Sequence, residues 1–186
     1  MNLILLGTPG AGKGTQAKLL ADHLQLRHIS SGELLRQEVN KKTKKGLLIK
    51  KIMDKGELVP FDTVLDVILF EIQSSPNGFI LDGTPRDVSQ AEHMDWFFKN
   101  NDIAIDAVVY YELDDQTSLE RLSNRAKEEQ RTDDTLKTHR HRLNVYHQET
   151  APVIEYYRKH GKLITIDARP DINTIFKHTL KVLPKP

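Results

Sequence analysis

The chain is expected to fold as an α/β protein, a parallel five-stranded sheet with helices on both faces. Three observations predict this. Short apolar runs alternate with longer segments of helical periodicity along the whole chain. The first apolar run ends on a glycine-rich loop that leads directly into a helical segment. The length, 186 residues, suits one such domain carrying small insertions. Net charge is only +1, so there is no global basic footprint for nucleic acid, and without cysteine there are neither disulfides nor thiolate metal sites. The apolar start is too short for a signal peptide, and no apolar run is long enough to span a bilayer. A cytoplasmic protein with neither nucleic-acid nor membrane partners is expected.

Leu3-Ile4-Leu5-Leu6 reads as a fully buried strand, and Gln16–Ala21 as the first turns of a helix. Between them lies Gly7-Thr8-Pro9-Gly10-Ala11-Gly12-Lys13-Gly14-Thr15. Glycines let successive backbone N–H groups point into one concavity, and the helix N-terminus adds donors and partial positive charge. Lys13 can reach the outer phosphates of a nucleotide, and Thr15 offers a hydroxyl to phosphate or Mg²⁺. The loop departs from the general phosphate-loop pattern in one respect: Gly14 separates the lysine from Thr15.

Arg27-His28-Ile29 is the next short strand, and Ser30–Val59 interrupts the strand–helix rhythm with helical patterns punctuated by Gly46 and Gly56. Within it, Ser31 precedes an amphipathic stretch and reads as its N-cap, with Arg36 about one turn along. The lysine cluster at 41–51 reads as a solvated helix start or loop. After a helical segment at Thr63–Gln73, Phe79-Ile80-Leu81 is a strand ending on Asp82-Gly83-Thr84-Pro85-Arg86. Alone, Asp82 serves equally as a turn cap; beside a phosphate loop it reads as a carboxylate that holds Mg²⁺ through water. Arg86 and Gln90 share a face if the helix starts at Arg86, an arginine for phosphate and an amide for a purine edge.

A helix at Gln90–Asn100 leads to the strand Ala107–Tyr111, then to helical patterns at Gln116–Glu128 and Asp134–Tyr157. The second is expected to break at Pro152, because the residue before a proline avoids helical angles. Asn124–Asp134 is polar and nearly devoid of apolar residues, the composition of a flap. Leu163–Ile166 is the last strand and Ile172–Leu183 the last helix, ahead of a frayed Lys185-Pro186 tail. His139 and His141 are two apart and point in different directions on a helix, so they hold no metal; His28 and His147 read as ordinary surface or core residues.

These motifs resemble those of the adenylate kinases, nucleoside monophosphate kinases of the P-loop NTPase-like fold, over residues from Leu3 to about Leu183. The Lys13-Gly14-Thr15 form of the loop is similar to theirs. Asp82, Gly83, Pro85, Arg86 and Gln90 keep the spacing of Asp-Gly-Phe-Pro-Arg and a following Gln, with Thr84 in place of the phenylalanine. Ser31-Gly32-Glu33-Leu34-Leu35-Arg36 is similar to Ser-Thr-Gly-Asp/Glu-x-Leu-Arg. The segment from Arg121 through Arg131-Thr132-Asp133-Asp134 to Arg142 matches a short-lid form.

The resemblance implies reversible, Mg²⁺-dependent phosphoryl transfer from ATP to AMP by a monomeric enzyme, and no structural zinc. It assigns Gly10, Ala11, Gly12, Lys13, Gly14, Thr15, Arg121, Arg125 and the backbone around Pro170 to ATP. It assigns Ser31, Arg36, Glu57, Leu58, Val59, Gly83, Arg86, Gln90, Arg131 and Arg142 to AMP. Lys13, Arg86, Arg125, Arg131 and Arg142 would act at the transferring group, with Asp133 and Asp134 ordering the metal's water or the lid arginines. Residues 30–59 would be the monophosphate-binding insertion and 124–134 the lid. A UMP/CMP kinase or a non-catalytic nucleotide switch on the same scaffold is the alternative.

Overall fold

The structure, a computed structural model, describes residues 1–129 and 135–185, with the side chains of all but 125–129. Five strands, β1 (Leu3–Gly7), β2 (Arg27–Ser30), β3 (Phe79–Asp82), β4 (Ala107–Glu112) and β5 (Leu163–Asp167), form one parallel sheet in the order β2-β3-β1-β4-β5. The helices are α1 (Lys13–Leu24), α2 (Ser31–Asn40), α3 (Lys44–Lys55), α4 (Phe61–Gln73), α5 (Val88–Asn100), α6 (Asp115–Glu129), α7 (Leu136–Val145), α8 (Ala151–Lys159) and α9 (Ile172–Val182). The predicted α/β architecture and its five strands are therefore present.

Alternate residues of each strand feed two separate cores, as a period of two requires. Ile4 and Leu6 of β1, Phe79 and Leu81 of β3, and Val108 of β4 pack with Ile68 of α4, Met94 of α5 and Val153 of α8. Leu3, Leu5, Ile80 and Val109 face the other way, onto Ala17 and Leu20 of α1 and Ile175 of α9. The central strand β1 is held on both sides, Leu3 opposite Ile80 and Ala107. Parallel register brings all C-terminal strand ends to one edge, where the loops after β1 and β3 meet. Among the described residues no helix is long and apolar enough to cross a membrane.

Three local expectations are corrected. Pro152 does not break the helical run. Residues Tyr146–Thr150 form one π-helical turn between α7 and α8, in which the Ala151 N–H bonds back to Tyr146. Pro152 then falls in the first turn of α8, where its missing N–H is no loss. The N-cap of α2 is Ser30, whose hydroxyl accepts from the Glu33 N–H, so Ser31 is the first helical residue. The helix after β3 begins at Val88 with Asp87 as its cap, so Arg86 and Gln90 do not share a helical face. The lysines at 41–51 are solvated as expected, some of them paired, such as Lys45 with Asp66 and Lys50 with Asp54.

Candidate active site

The loop from Gly7 to Gly12 is shaped by its own backbone and pinned by side chains from elsewhere. The Ala11 N–H donates to the Thr8 carbonyl at 3.0 Å. Thr8 Oγ1 donates to the Leu113 carbonyl, also at 3.0 Å, and Ser118 Oγ of α6 donates to the Pro9 carbonyl. Gly12 caps α1 with φ of 82° and no side-chain oxygen on the first N–H groups, which leaves these donors to an anion. Lys13 Nζ lies over the loop, donating to the Gly7 and Thr8 carbonyls at 2.7 and 3.0 Å.

A cleft of about 710 Å³ runs from this loop across the ends of β1 and β3 to the residues between α3 and α4. Gly10, Gly12, Lys13, Gly14, Thr15, Arg121 and Arg142 line it, as do Ser31, Arg36, Glu57, Leu58, Val59, Asp82, Gly83, Arg86 and Gln90. Positions scattered from 10 to 142 are thus brought to one cavity. Ala11 does not line it; its side chain is buried in the core beneath the loop. Pro170 does not line the cleft; it follows Ala168 and Arg169, whose carbonyls accept from the Arg121 guanidinium at 2.8 and 3.0 Å. The side chain of Arg125 and the whole of Arg131, Thr132, Asp133 and Asp134 lie outside the described residues.

Two strand ends supply the far wall. Asp82 closes β3 with a buried carboxylate that stands 3.5 Å from where a Cβ on Gly14 would be, beside the start of α1. Gly83 has φ of 89°, and a Cβ there would lie 2.6 Å from Ser31 Oγ. That hydroxyl donates to the Asp82 carbonyl at 3.3 Å, joining α2 to the end of β3. Arg86 is anchored at both ends: its Nε donates to the Gly83 carbonyl at 2.8 Å, and its own carbonyl accepts from Thr150 Oγ1 at 2.7 Å.

The guanidiniums form a focus of positive charge. Arg86 opens onto the cleft but is otherwise surrounded by protein, and burial lowers its pKa from the ordinary arginine value. Asp82 opposes that shift, while Arg142 and Arg36 add to it through like-charge repulsion. An arginine with two further guanidiniums near enough to raise the cost of its charge makes a cavity suited to a multiply charged anion. Tyr146, on the same wall, donates its hydroxyl to that of Tyr110 at 3.2 Å; burial pushes its pKa upward and keeps it neutral.

Some residues escape a reading of the sequence. His28, expected as an ordinary surface or core residue, lies largely buried behind Asp82, its Nε2 3.8 Å from Oδ2. Thr150 is 64 residues from the backbone it holds, and nothing local marks it. Asp87, three residues before Gln90, was detectable as a capping box. His139 is buried while His141 is exposed, as their spacing predicts. His147 bonds Asp115 at 2.9 Å. Among the described residues no three His, Cys, Asp or Glu side chains converge on a point where they could hold a metal. A cation entering here with phosphate ligands would therefore use one carboxylate, Asp82, with the Thr15 hydroxyl and water, which is the way Mg²⁺ is commonly held.

Comparison with known proteins gives the same direction. A family model described as adenylate kinase matches residues 5–162. The chain is 41% identical to an adenylate kinase of Corynebacterium urealyticum over the full length of both chains. It is 43% identical to one from Parvibaculum lavamentivorans over 94% of this chain and 88% of that one. Against one from Methanosarcina barkeri identity is 38%, over 100% and 99% of the two chains.

Proposed function

Because the chain belongs to the adenylate kinase family, we propose that it transfers the terminal phosphoryl group of ATP to AMP, reversibly, yielding two ADP. One observation carries this reading: a glycine loop with its lysine and three arginines, Arg86 with Arg36 and Arg142 near it, line one cleft. A switch protein needs the first site and has no use for the second.

On this reading the loop N–H groups and Lys13 grip the triphosphate, and Thr15 faces its outer phosphates. Arg121, held by the carbonyls of Ala168 and Arg169, offers a guanidinium plane to the adenine near Pro170. Arg36 and Arg86 hold the AMP phosphate, and Arg142 lies between the two anions. Ser31, Gly83, Gln90 and the segment Glu57-Leu58-Val59 enclose the acceptor's base and ribose. Asp82 and Thr15 would hold Mg²⁺ through water, and the ion supplies charge neutralisation on the phosphates.

Transfer of this kind needs in-line positioning and positive charge around the equatorial oxygens more than it needs a general base. Arg142, with Arg125 and Arg131 of the segment 124–134, would provide that charge as the segment closes over the cleft and excludes water. Residues 30–59 would move as the acceptor-binding unit. The enzyme is proposed to work as a monomer in the cytoplasm.

A coupled transfer assay with ATP and each of AMP, GMP, CMP and UMP tests the proposal. The expected result is turnover strongly favouring AMP and dependent on Mg²⁺. Preference for CMP or UMP would make it a pyrimidine nucleotide kinase, and tight ATP binding without turnover on any acceptor would make it a switch.

A further inference from the structure

Gln90 is 5% exposed and presents its amide to the acceptor half of the cleft. Its carboxamide oxygen accepts from the Arg86 backbone N–H at 2.9 Å, and its Nε2 donates to Asp87 Oδ2 at 2.7 Å. The other oxygen of Asp87 accepts from the Gln90 backbone N–H at 2.8 Å, which is the cap of α5. A backbone N–H can only donate and an ionised carboxylate can only accept. Reversing the amide would set nitrogen against N–H and oxygen against carboxylate, two repulsive contacts in place of two hydrogen bonds. Thr150 holds the Arg86 carbonyl, in the next peptide unit, at 2.7 Å and so restrains the backbone at this residue.

Thr84 strengthens this bias. Its buried hydroxyl stands 3.5 Å from the same Gln90 oxygen and 3.8 Å from Met94 Sδ. The Arg86 N–H, with the Thr84 hydroxyl at longer range, faces the amide oxygen, and one amide hydrogen goes to Asp87, so the other amide hydrogen is what Gln90 offers to a ligand. Asp87 does not itself line the cleft.

We infer that Asp87, assisted by Thr84, is a positioning residue that sets the polarity with which Gln90 reads the acceptor base, selecting 6-aminopurine over 6-oxopurine monophosphates. The inference rests on the acceptor site proposed above. A donor-only amide pairs with a ring nitrogen that carries a lone pair, such as N1 of a 6-aminopurine. In a 6-oxopurine that nitrogen bears hydrogen, and two donors would face each other across a desolvated gap. Sites built to match a hydrogen-bond pattern discriminate far better than apolar pockets do.

The test compares kcat/KM for AMP and IMP, with ATP as donor, in the full-length enzyme. Asp87→Asn retains a capping oxygen but turns an NH₂ toward Gln90, so the AMP-to-IMP ratio is expected to fall about tenfold. The change should lie in KM for the monophosphates, with kcat and KM for ATP within about twofold of the parent. Asp87→Ser keeps a cap yet is too short to reach Nε2, and the ratio is expected to fall about threefold. A ratio within twofold of the parent's in both variants overturns the inference. Gln90→Ala separates the two layers of the argument. If it raises KM for AMP while Asp87→Asn leaves the ratio unchanged, only the role of Asp87 fails. If it leaves KM for AMP unchanged, the acceptor site itself is misassigned.

Discussion

On the proposed function, the two halves of the cleft would bind anions by different means. The triphosphate side is one continuous stretch, Gly7 to Thr15, whose donors are mostly backbone N–H groups and whose shape is held by Thr8 and Ser118. The acceptor side is assembled from side chains on separate elements: Ser31 and Arg36 from α2, Arg86 from the loop after β3, Arg142 from α7. A backbone cradle is tolerant of what surrounds it, since every residue except proline has an N–H. A side-chain cluster depends on each anchor, as Arg86 depends on Gly83 and Thr150. Strength on the first side comes from local chain geometry, and selectivity on the second from tertiary contacts.

The sharpest way to break this contrast is to remove one cation from each side. Lys13→Ala is expected to lower kcat by about 10²–10³-fold, since a preorganised donor at the transferring phosphate acts chiefly on the transition state. Arg86→Ala should raise KM for AMP about a hundredfold and leave KM for ATP nearly unchanged. Steady-state kinetics with each substrate varied in turn reads both. Equal effects of Arg86→Ala on ATP and AMP would dissolve the division.

Glycine substitutions probe the same difference as stability. Both Gly12 and Gly83 have positive φ, so alanine is strained at either. At Gly12 nothing lies within 4 Å of the added Cβ, and the cost should be about 1 kcal/mol from strain alone. At Gly83 the Cβ meets Ser31 Oγ and displaces its bond to Asp82, so about 2–4 kcal/mol is expected. Urea denaturation of the two variants gives the difference, and equal losses would mean that the Ser31 contact adds nothing.

The smallest effect concerns the helix that carries Arg121. Asp114, preceding α6, accepts from the Thr117 N–H at 2.9 Å and its hydroxyl at 2.8 Å. These bonds hold its carboxyl below the usual carboxylate range. A depressed folded-state pKa stabilises the fold above the unfolded value, about pH 4, and the gain is lost as pH falls through the folded one. Asp114→Ala should therefore lower Tm by a few degrees at neutral pH. The gap between variant and parent should narrow in thermal melts as the medium is acidified below about pH 4. A gap that stays constant with pH would assign the loss to something other than the cap.

Much of the fold and the whole glycine-rich loop were legible because their signals are local. Apolar runs such as Leu3–Leu6 and Ala107–Tyr111 mark strands by burial on both faces. Gly10 and Gly12 mark a turn that only unusual dihedrals allow. The acceptor side was legible as residue types, Arg36, Arg86 and Gln90, and not as geometry. Ser30 displaced Ser31 as the cap of α2 because either hydroxyl precedes the amphipathic stretch, and β3 engages Ser31. Pro152 was misread because a π-helical turn is a choice made by packing around Tyr146 and Thr150, both buried.

By itself, then, the sequence determined the succession of strands and helices, the glycine-rich turn after β1 and the kinds of side chain that line the cleft. These rest on interactions spanning a few residues, which any copy of the chain makes wherever it folds. Tertiary structure alone decided the strand order β2-β3-β1-β4-β5 and the meeting of Arg36, Arg86 and Arg142. Each of those depends on partners tens of residues away, such as Thr150 behind Arg86, and only the closed core brings them within reach.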